Sequence, residues 1–240
     1  MGPVLDALFS ALRDLREPRI LALVLVPPAA AFVLWAGLAW AYWSDWIRSV
    51  EGLLAATAVG RWILAFDPGW IVSSAAALVL TVLLIPLMLI TAVVVTELLV
   101  MPFAVALIGS RDFARLERRR GGTVSGSVWN AATGILWFAT LWVVTLPLWL
   151  TGIGALVLPA LLSAYLNQRL FRYDALSDHA SAEEYGRIVS EGKGRLFLLG
   201  LLLALLYYVP VLNLLVPVLS ALAFTHLCLG ELARLRQVTK

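Results

Sequence analysis

Thr123 to Gln168 reads TVSGSVWNAATGILWFATLWVVTLPLWLTGIGALVLPALLSAYLNQ, 46 residues without one Asp, Glu, Lys or Arg. A membrane-spanning helix needs roughly 20 apolar residues. The run is too long for one span and long enough for two. Pro147, Gly152, Gly154 and Pro159 place a turn near its middle. The stretch reads as a helical hairpin in lipid.

The rest of the chain repeats that pattern. Residues 20–43, 70–96 and 196–230 are also free of formal charge. Across all 240 residues, 62% are hydrophobic and 14% charged. A typical soluble domain carries about 25% charged residues, so an ordinary soluble enzyme and a disordered chain are both excluded. The fold class is an all-α integral membrane protein, built of long transmembrane helices plus helical hairpins. The apolar run 20–43 exceeds a signal-peptide core and is expected to stay as an anchor.

Within this single membrane domain, six segments are expected. Residues 4–17 form an amphipathic interfacial helix, with Val4, Leu5, Leu8, Phe9, Leu12 and Leu15 at helical spacing. Residues 20–43 are the first long helix, with Pro27 and Pro28 kinking it or marking an irregular start. A polar excursion with a Phe66-Asp67-Pro68-Gly69 turn leads to a second long helix at 70–108, bent at Pro86 or Pro102. The hairpin 123–168 follows, and then a loop or surface helix at 169–195. A short terminal hairpin at 196–233 turns at Pro210, Asn213 and Pro217. Its arms of roughly 14 residues reach about 21 Å, less than the ~30 Å hydrocarbon core. The hairpin is therefore re-entrant, or else its second arm extends through Leu232 and crosses.

Basic residues set the topology. Sixteen of the 18 Lys and Arg residues lie in the N-terminal helix, at 109–122, at 169–195 and in the tail; only Arg48 and Arg61 lie elsewhere. This asymmetry puts both termini in the cytoplasm of a multi-pass protein. Trp40, Trp43, Trp46, Trp62, Trp70, Trp142 and Trp149 then gather at the outer interface. The basic stretch Arg111–Arg120 reads as a contact with membrane lipids. It is short and lacks a reading fold, so nucleic acid is not an expected partner.

Little in the chain suggests catalysis. No metal-ligand spacing, nucleophile–base motif or glycine-rich phosphate loop is present, and no cofactor is expected. Ser125 and Ser127 have the character of a helix start. His179 sits in a charged loop and is expected to be solvated. His226 is either a packed interfacial histidine or a solute or proton ligand. Glu97 lies either at the interface or on a polar path through the membrane. Asn213, between Pro210 and Pro217, either bonds local backbone or faces a passing anion beside a helix end.

The segment Asn167–His179 (NQRLFRYDALSDH), with Glu183, Glu184, Tyr185 and Ile188, resembles the CysZ-like, etoposide-induced-protein family. So does Tyr208–Pro217 (YVPVLNLLVP), followed by Ala223-Phe224-Thr225-His226. The resemblance extends over about residues 5–236. It implies membrane passage of sulfate or another small anion, in the inner membrane of a bacterium, by a homo-oligomer of long helices and membrane-entering hairpins. In that family a Gly-Leu-Arg-Arg element lies between two prolines nine positions apart. Pro18 and Pro27 keep the spacing, but the enclosed residues are Arg19, Ile20, Leu21 and Ala22. The arginine pair is replaced by Leu21 and Ala22. Arg13, Arg16 and Arg19 are the candidate substitute anion ligands, sharing one broad face if their helix is continuous; the alternative is that all three bind lipid headgroups. A non-transport membrane scaffold is the alternative function.

Overall fold

The computed structural model describes residues 2–58, 61–62, 70–213 and 215–238. The expected Phe66–Gly69 turn lies outside them. The described residues form α1 (Gly2–Asp14), α2 (Pro18–Ala55), α3 (Trp70–Arg111), α4 (Val124–Val144), α5 (Leu146–Trp149), α6 (Ile153–Ser177), α7 (Ala182–Glu191), α8 (Lys193–Leu206), α9 (Pro210–Asn213) and α10 (Val216–Val238). No strand occurs among them. The protein is all-α and multi-pass. Four helices are long and apolar enough to span a bilayer, within α2, α3, α4 and α10.

Several boundaries differ from the sequence expectation, and each difference has a physical cause. The first long helix continues to Ala55 instead of stopping at 43. Its polar end satisfies itself locally: Arg48 pairs with Asp45, and the Ser49 hydroxyl donates to the Asp45 carbonyl. Pro27 and Pro28 lie inside it. The second long helix continues to Arg111 instead of stopping at 108. The hairpin's second arm does not end at 168. It carries Arg169 and Arg172 on to Ser177, with the Arg169 guanidinium hydrogen-bonded to Asn130, Tyr165 and Thr133. Only then does the chain turn to α7, whose start is a capping box: the Ser181 hydroxyl accepts from the Glu184 N–H, and the Glu184 carboxylate accepts from the Ser181 N–H.

The chain divides into two compact units. One comprises residues 25–96, most of α2 and α3. There Val50, Ala76 and Leu80 are packed with Trp46 and Leu84, and the Trp35 indole N–H donates to Thr91 Oγ1 at 3.0 Å. The other comprises residues 1–24 and 97–240.

In this larger unit α10 is the central helix. Val218, Leu219, Ala221 to Phe224, Leu227 to Leu229 and Leu232 are all buried, including the single free cysteine, Cys228, at 0% exposure. A helix apolar on every side must be enclosed by lipid or by protein; here most of it is enclosed by protein. α1 lays Val4, Ala7 and Ala11 against this core, and leaves Leu5, Phe9 and Leu12 exposed. Its small residues allow close approach while its large ones face outward, as an interfacial helix requires. α4 buries only Gly134 and exposes Val128, Trp129, Leu136 and Trp137, the pattern of a helix solvated by lipid.

The terminal hairpin is asymmetric. α8 has 14 residues and α10 has 23, about 21 and 34 Å. Pro210 opens α9 and Pro217 is the second residue of α10. At a helix start the missing proline N–H costs no hydrogen bond.

Candidate functional site

The larger unit collects its charges at one end, in two knots and a cleft. The first knot joins α1, α3 and α10. Asp14, only 6% exposed, accepts two hydrogen bonds from Arg111 Nη2, at 2.7 and 2.8 Å. His226 Nε2 lies 2.8 Å from Asp14 Oδ2, and Arg111 also reaches Glu17 and Asp112. The Arg111 guanidinium hydrogen-bonds the Asp112 carboxylate and holds it below the usual carboxylate range. Asp14, Asp112 and His226 could each offer one atom to a cation, all within 4.8 Å of one another, but Arg111 already occupies both carboxylates. Residues 212 positions apart meet here, so no linear spacing could reveal the group.

The second knot is centred on Glu184, the capping residue of α7. Arg236 of α10 donates to both of its oxygens at 3.0 Å, and Arg119 Nη1 donates at 2.9 Å. Arg236 also donates to the backbone carbonyls of Glu117 and His179, both at 2.7 Å. The Arg236 guanidinium lowers the Glu184 pKa to about 2, with its cap to Ser181 and the charge of Arg119 assisting. His179 is buried at 2% exposure rather than solvated as expected. The segment 119–122 covers it, its N–H groups donating to the carbonyls of His179, Asp178, Ala180 and Ser177. Gly121 and Gly122 permit that approach, since a Cβ on either would come within 2.5 Å of residues 177–182. Burial, then the Arg118 charge, pushes the His179 pKa down.

Both groups therefore make stability fall with acidification. For each, the folded pKa is depressed, so its stabilisation is complete above the unfolded value. The His179 part is expected to fade as pH drops below 6.5. The Glu184 part should fade between 4.5 and about 2. Thermal unfolding in detergent from pH 8 to 3 should show a falling midpoint, and Glu184→Gln should flatten the lower limb. An unchanged lower limb in Glu184→Gln would remove Glu184 as its source.

Between the knots lies an open cleft of about 1020 Å³. Arg115 and Arg187 line it, both exposed and in no ion pair among the described residues. Arg111, Arg119 and Arg236 line it as well, beside the carboxylates of Asp112, Glu117, Glu183 and Glu184. His226 faces a separate cleft of about 180 Å³ beside α1.

A polar stripe runs up α6 from this end. Arg169 donates from Nε to Asn130 Oδ1 at 3.3 Å, from Nη1 to the Tyr165 hydroxyl at 3.0 Å and from Nη2 to Thr133 Oγ1 at 2.7 Å. Arg172 Nη1 donates to Gln168 Oε1 at 2.7 Å. The Ser127 hydroxyl donates to Asp174, and Thr123 caps α4, in keeping with the helix-start reading of Ser125 and Ser127.

The residues nominated from sequence do not converge on one place. Arg13 is on α1, Arg16 in the turn and Arg19 on α2; all three are exposed. The helix breaks at residues 15–17, so the continuous face expected for them does not exist. Asn213 ends α9, with its backbone N–H donating to the Val209 carbonyl at 3.0 Å. It lies 13 residues before His226, about 20 Å along a helix. Glu97 lies inside α3, and its side chain is outside those described.

The family model described as Sulfate transporter CysZ/Etoposide-induced protein 2.4 fits residues 7–217. No curated protein and no solved structure matches.

Proposed function

The chain belongs to the sulfate transporter CysZ/etoposide-induced protein 2.4 family, and from that membership we propose that it passes a small polar or anionic solute, sulfate first among them, across the membrane. The family match over most of the chain carries this reading. The basic asymmetry adds an orientation: the termini and the charged knots face the cytoplasm of a bacterial inner membrane. Homo-oligomers and bound membrane lipids complete the proposal, with the exposed apolar faces of α1 and α4 as their contact surfaces.

Arg115 and Arg187, the cleft arginines in no ion pair among the described residues, draw anions ahead of passage, in a lining of five arginines and four carboxylates. Arg13, Arg16 and Arg19 extend that field along the surface. Reconstitution in liposomes with labelled sulfate tests the reading. Flux well above that of empty liposomes is expected. The double variant Arg115→Gln/Arg187→Gln should lower it several-fold at low salt, with the difference closing near 0.5 M salt as exposed charges are screened. Arg19→Gln should weaken sulfate binding without loss of assembly. A correctly assembled protein with no flux for any anion would hand the function to a membrane scaffold, the reading favoured by the full pairing of Arg236.

A further inference from the structure

Arg169 is a cation held in place without a counter-charge. It lies on α6 where that helix packs on α4, and it is half-buried. Nε donates to Asn130 Oδ1 at 3.3 Å, Nη1 to the Tyr165 hydroxyl at 3.0 Å and Nη2 to Thr133 Oγ1 at 2.7 Å. Asn130 Nδ2 donates in turn to the Arg169 carbonyl at 3.0 Å. One amide thus grips both the side chain and the backbone of the same arginine. These bonds converge on a single guanidinium and fix its orientation. All three acceptors are neutral, and Arg169 enters no ion pair among the described residues. A guanidinium has two N–H groups on each Nη, so one on each remains beyond these bonds.

The surroundings are those of a helix in lipid. Asn130, Thr133 and Gly134 are three and four positions apart, on one face of α4, and Gly134 is the residue that α4 buries. A Cβ there would come 3.3 Å from Arg169 Cδ, so the arginine stem passes over this glycine. Elsewhere α4 exposes Val128, Trp129, Ile135, Leu136 and Trp137. The charge-free run 123–168 ends at Arg169, and α4 carries no charge. Arg169 is therefore the innermost charge of the hairpin, at the boundary between hydrocarbon and headgroups. Trp129 gives the same level independently. It adjoins Asn130 and is 72% exposed, and indole rings settle at the headgroup region. Arg169 lines neither of the two clefts.

An uncompensated guanidinium at the edge of the hydrocarbon is costly. The negative group that a bilayer supplies at this level is a phospholipid phosphate. Two of its oxygens can accept from one arginine, and its acyl chains have the exposed apolar side of α4 to lie along. A free aqueous anion lacks that second contact. In a choline head the ammonium beside the phosphate cancels its charge; an anionic head leaves it whole. We propose that the Arg169 cage of α4 and α6 binds the phosphate of an anionic membrane phospholipid. Asn130, Thr133 and Tyr165 are its positioning residues: they do not neutralise the arginine, they aim it. The site rests on the lipid contact proposed for α4 and not on transport.

The test uses the full chain, delipidated in a nonionic detergent and followed by native mass spectrometry and thermal unfolding. Phosphatidylglycerol should bind saturably and raise the unfolding temperature. Phosphatidylcholine should bind about tenfold more weakly. Diacylglycerol, with the same chains and no phosphate, should give no rise. Arg169→Gln should lose one bound phosphatidylglycerol per chain and most of the temperature rise. Arg169→Lys serves where Arg169→Gln does not fold. Its ammonium keeps the charge but cannot hold three cage oxygens and a phosphate together, so binding should weaken about fivefold. Phosphatidylglycerol binding equal in wild type and Arg169→Lys would overturn the site. So would an equal rise with diacylglycerol, which would leave only an apolar contact. A rise with sodium phosphate alone that matches phosphatidylglycerol would give the guanidinium to free anions and overturn the lipid assignment. Loss of an oligomer in Arg169→Gln with an unchanged lipid count would give it to a second copy of the chain, and overturn it as well. Sulfate flux is measured separately. Flux absent with the lipid response intact removes transport and keeps the site; flux present with no Arg169-dependent lipid removes the site and keeps transport.

Discussion

Arg236→Ala is expected to destabilise the protein by about 4 kcal/mol, the scale on which a buried pair fails when one partner is removed. Arg236 and Glu184 are 16% and 13% exposed. The substitution strips two hydrogen bonds from Glu184 and leaves the Glu117 and His179 carbonyls without that donor. It also detaches the end of α10 from the start of α7. For a chain of this length the unfolding midpoint should fall by roughly 10 °C. Arg236→Lys should recover less than half of the loss, since an ammonium cannot span both carboxylate oxygens and two carbonyls in one plane. Fluorescence-monitored unfolding in detergent measures both. A drop under about 2 °C for Arg236→Ala would show the knot to be a solvated surface pair.

Gly200→Val is expected to prevent assembly of the larger unit. A Cβ at Gly200 on α8 would lie 2.7 Å from the Ala164 carbonyl oxygen on α6, with the Ala164 Cα at 3.4 Å. The obstacle is backbone, which cannot swing aside as a side chain can. Gly200→Ala should already lower stability by about 2 kcal/mol, and valine adds two methyl groups to the same gap. Gly194→Ala on the same helix is the control, since nothing lies within 4 Å of its Cβ. That change should be neutral or stabilising by up to about 1 kcal/mol, the ordinary preference for alanine in a helix. If both alanine variants behave alike, the close approach of α6 and α8 is not what holds them.

The lipid-solvated part of the fold was legible in sequence because bilayer thickness constrains it directly. The charge-free runs fall on α4 with α6 and on α8 with α10, while the arms of roughly 14 residues expected of the last run match α8 but not the 23 residues of α10. Burial within protein was not legible. Leu222 and Leu229 of α10 are as apolar as Leu136 of α4, yet the first two are buried and the third is exposed; hydropathy does not distinguish lipid from a neighbouring helix. Charged boundaries misled for a related reason. Arg169 and Arg172 read as the start of a loop or surface helix, whereas α6 continues through both, with Arg169 held by Asn130, Thr133 and Tyr165 and Arg172 by Gln168. His179 sat among charges in sequence and was expected in water. Its burial depends on Gly121 and Gly122, whose lack of side chains brings a distant loop over it. One local signal could have been found: Ser181 and Glu184 have the spacing of a capping box, which marks the start of α7. Nothing local could pair Asp14 with His226 or Arg236 with Glu184.

The enclosure of Cys228 at 0% exposure gives the molecule its own clock. A maleimide cannot reach this sulfur while α10 is packed, so its rate of modification reports how often the centre of the larger unit opens. That makes wild type its own reference for opening kinetics. It also means that cysteines introduced at the surface can be labelled against a background that stays silent until the fold comes apart.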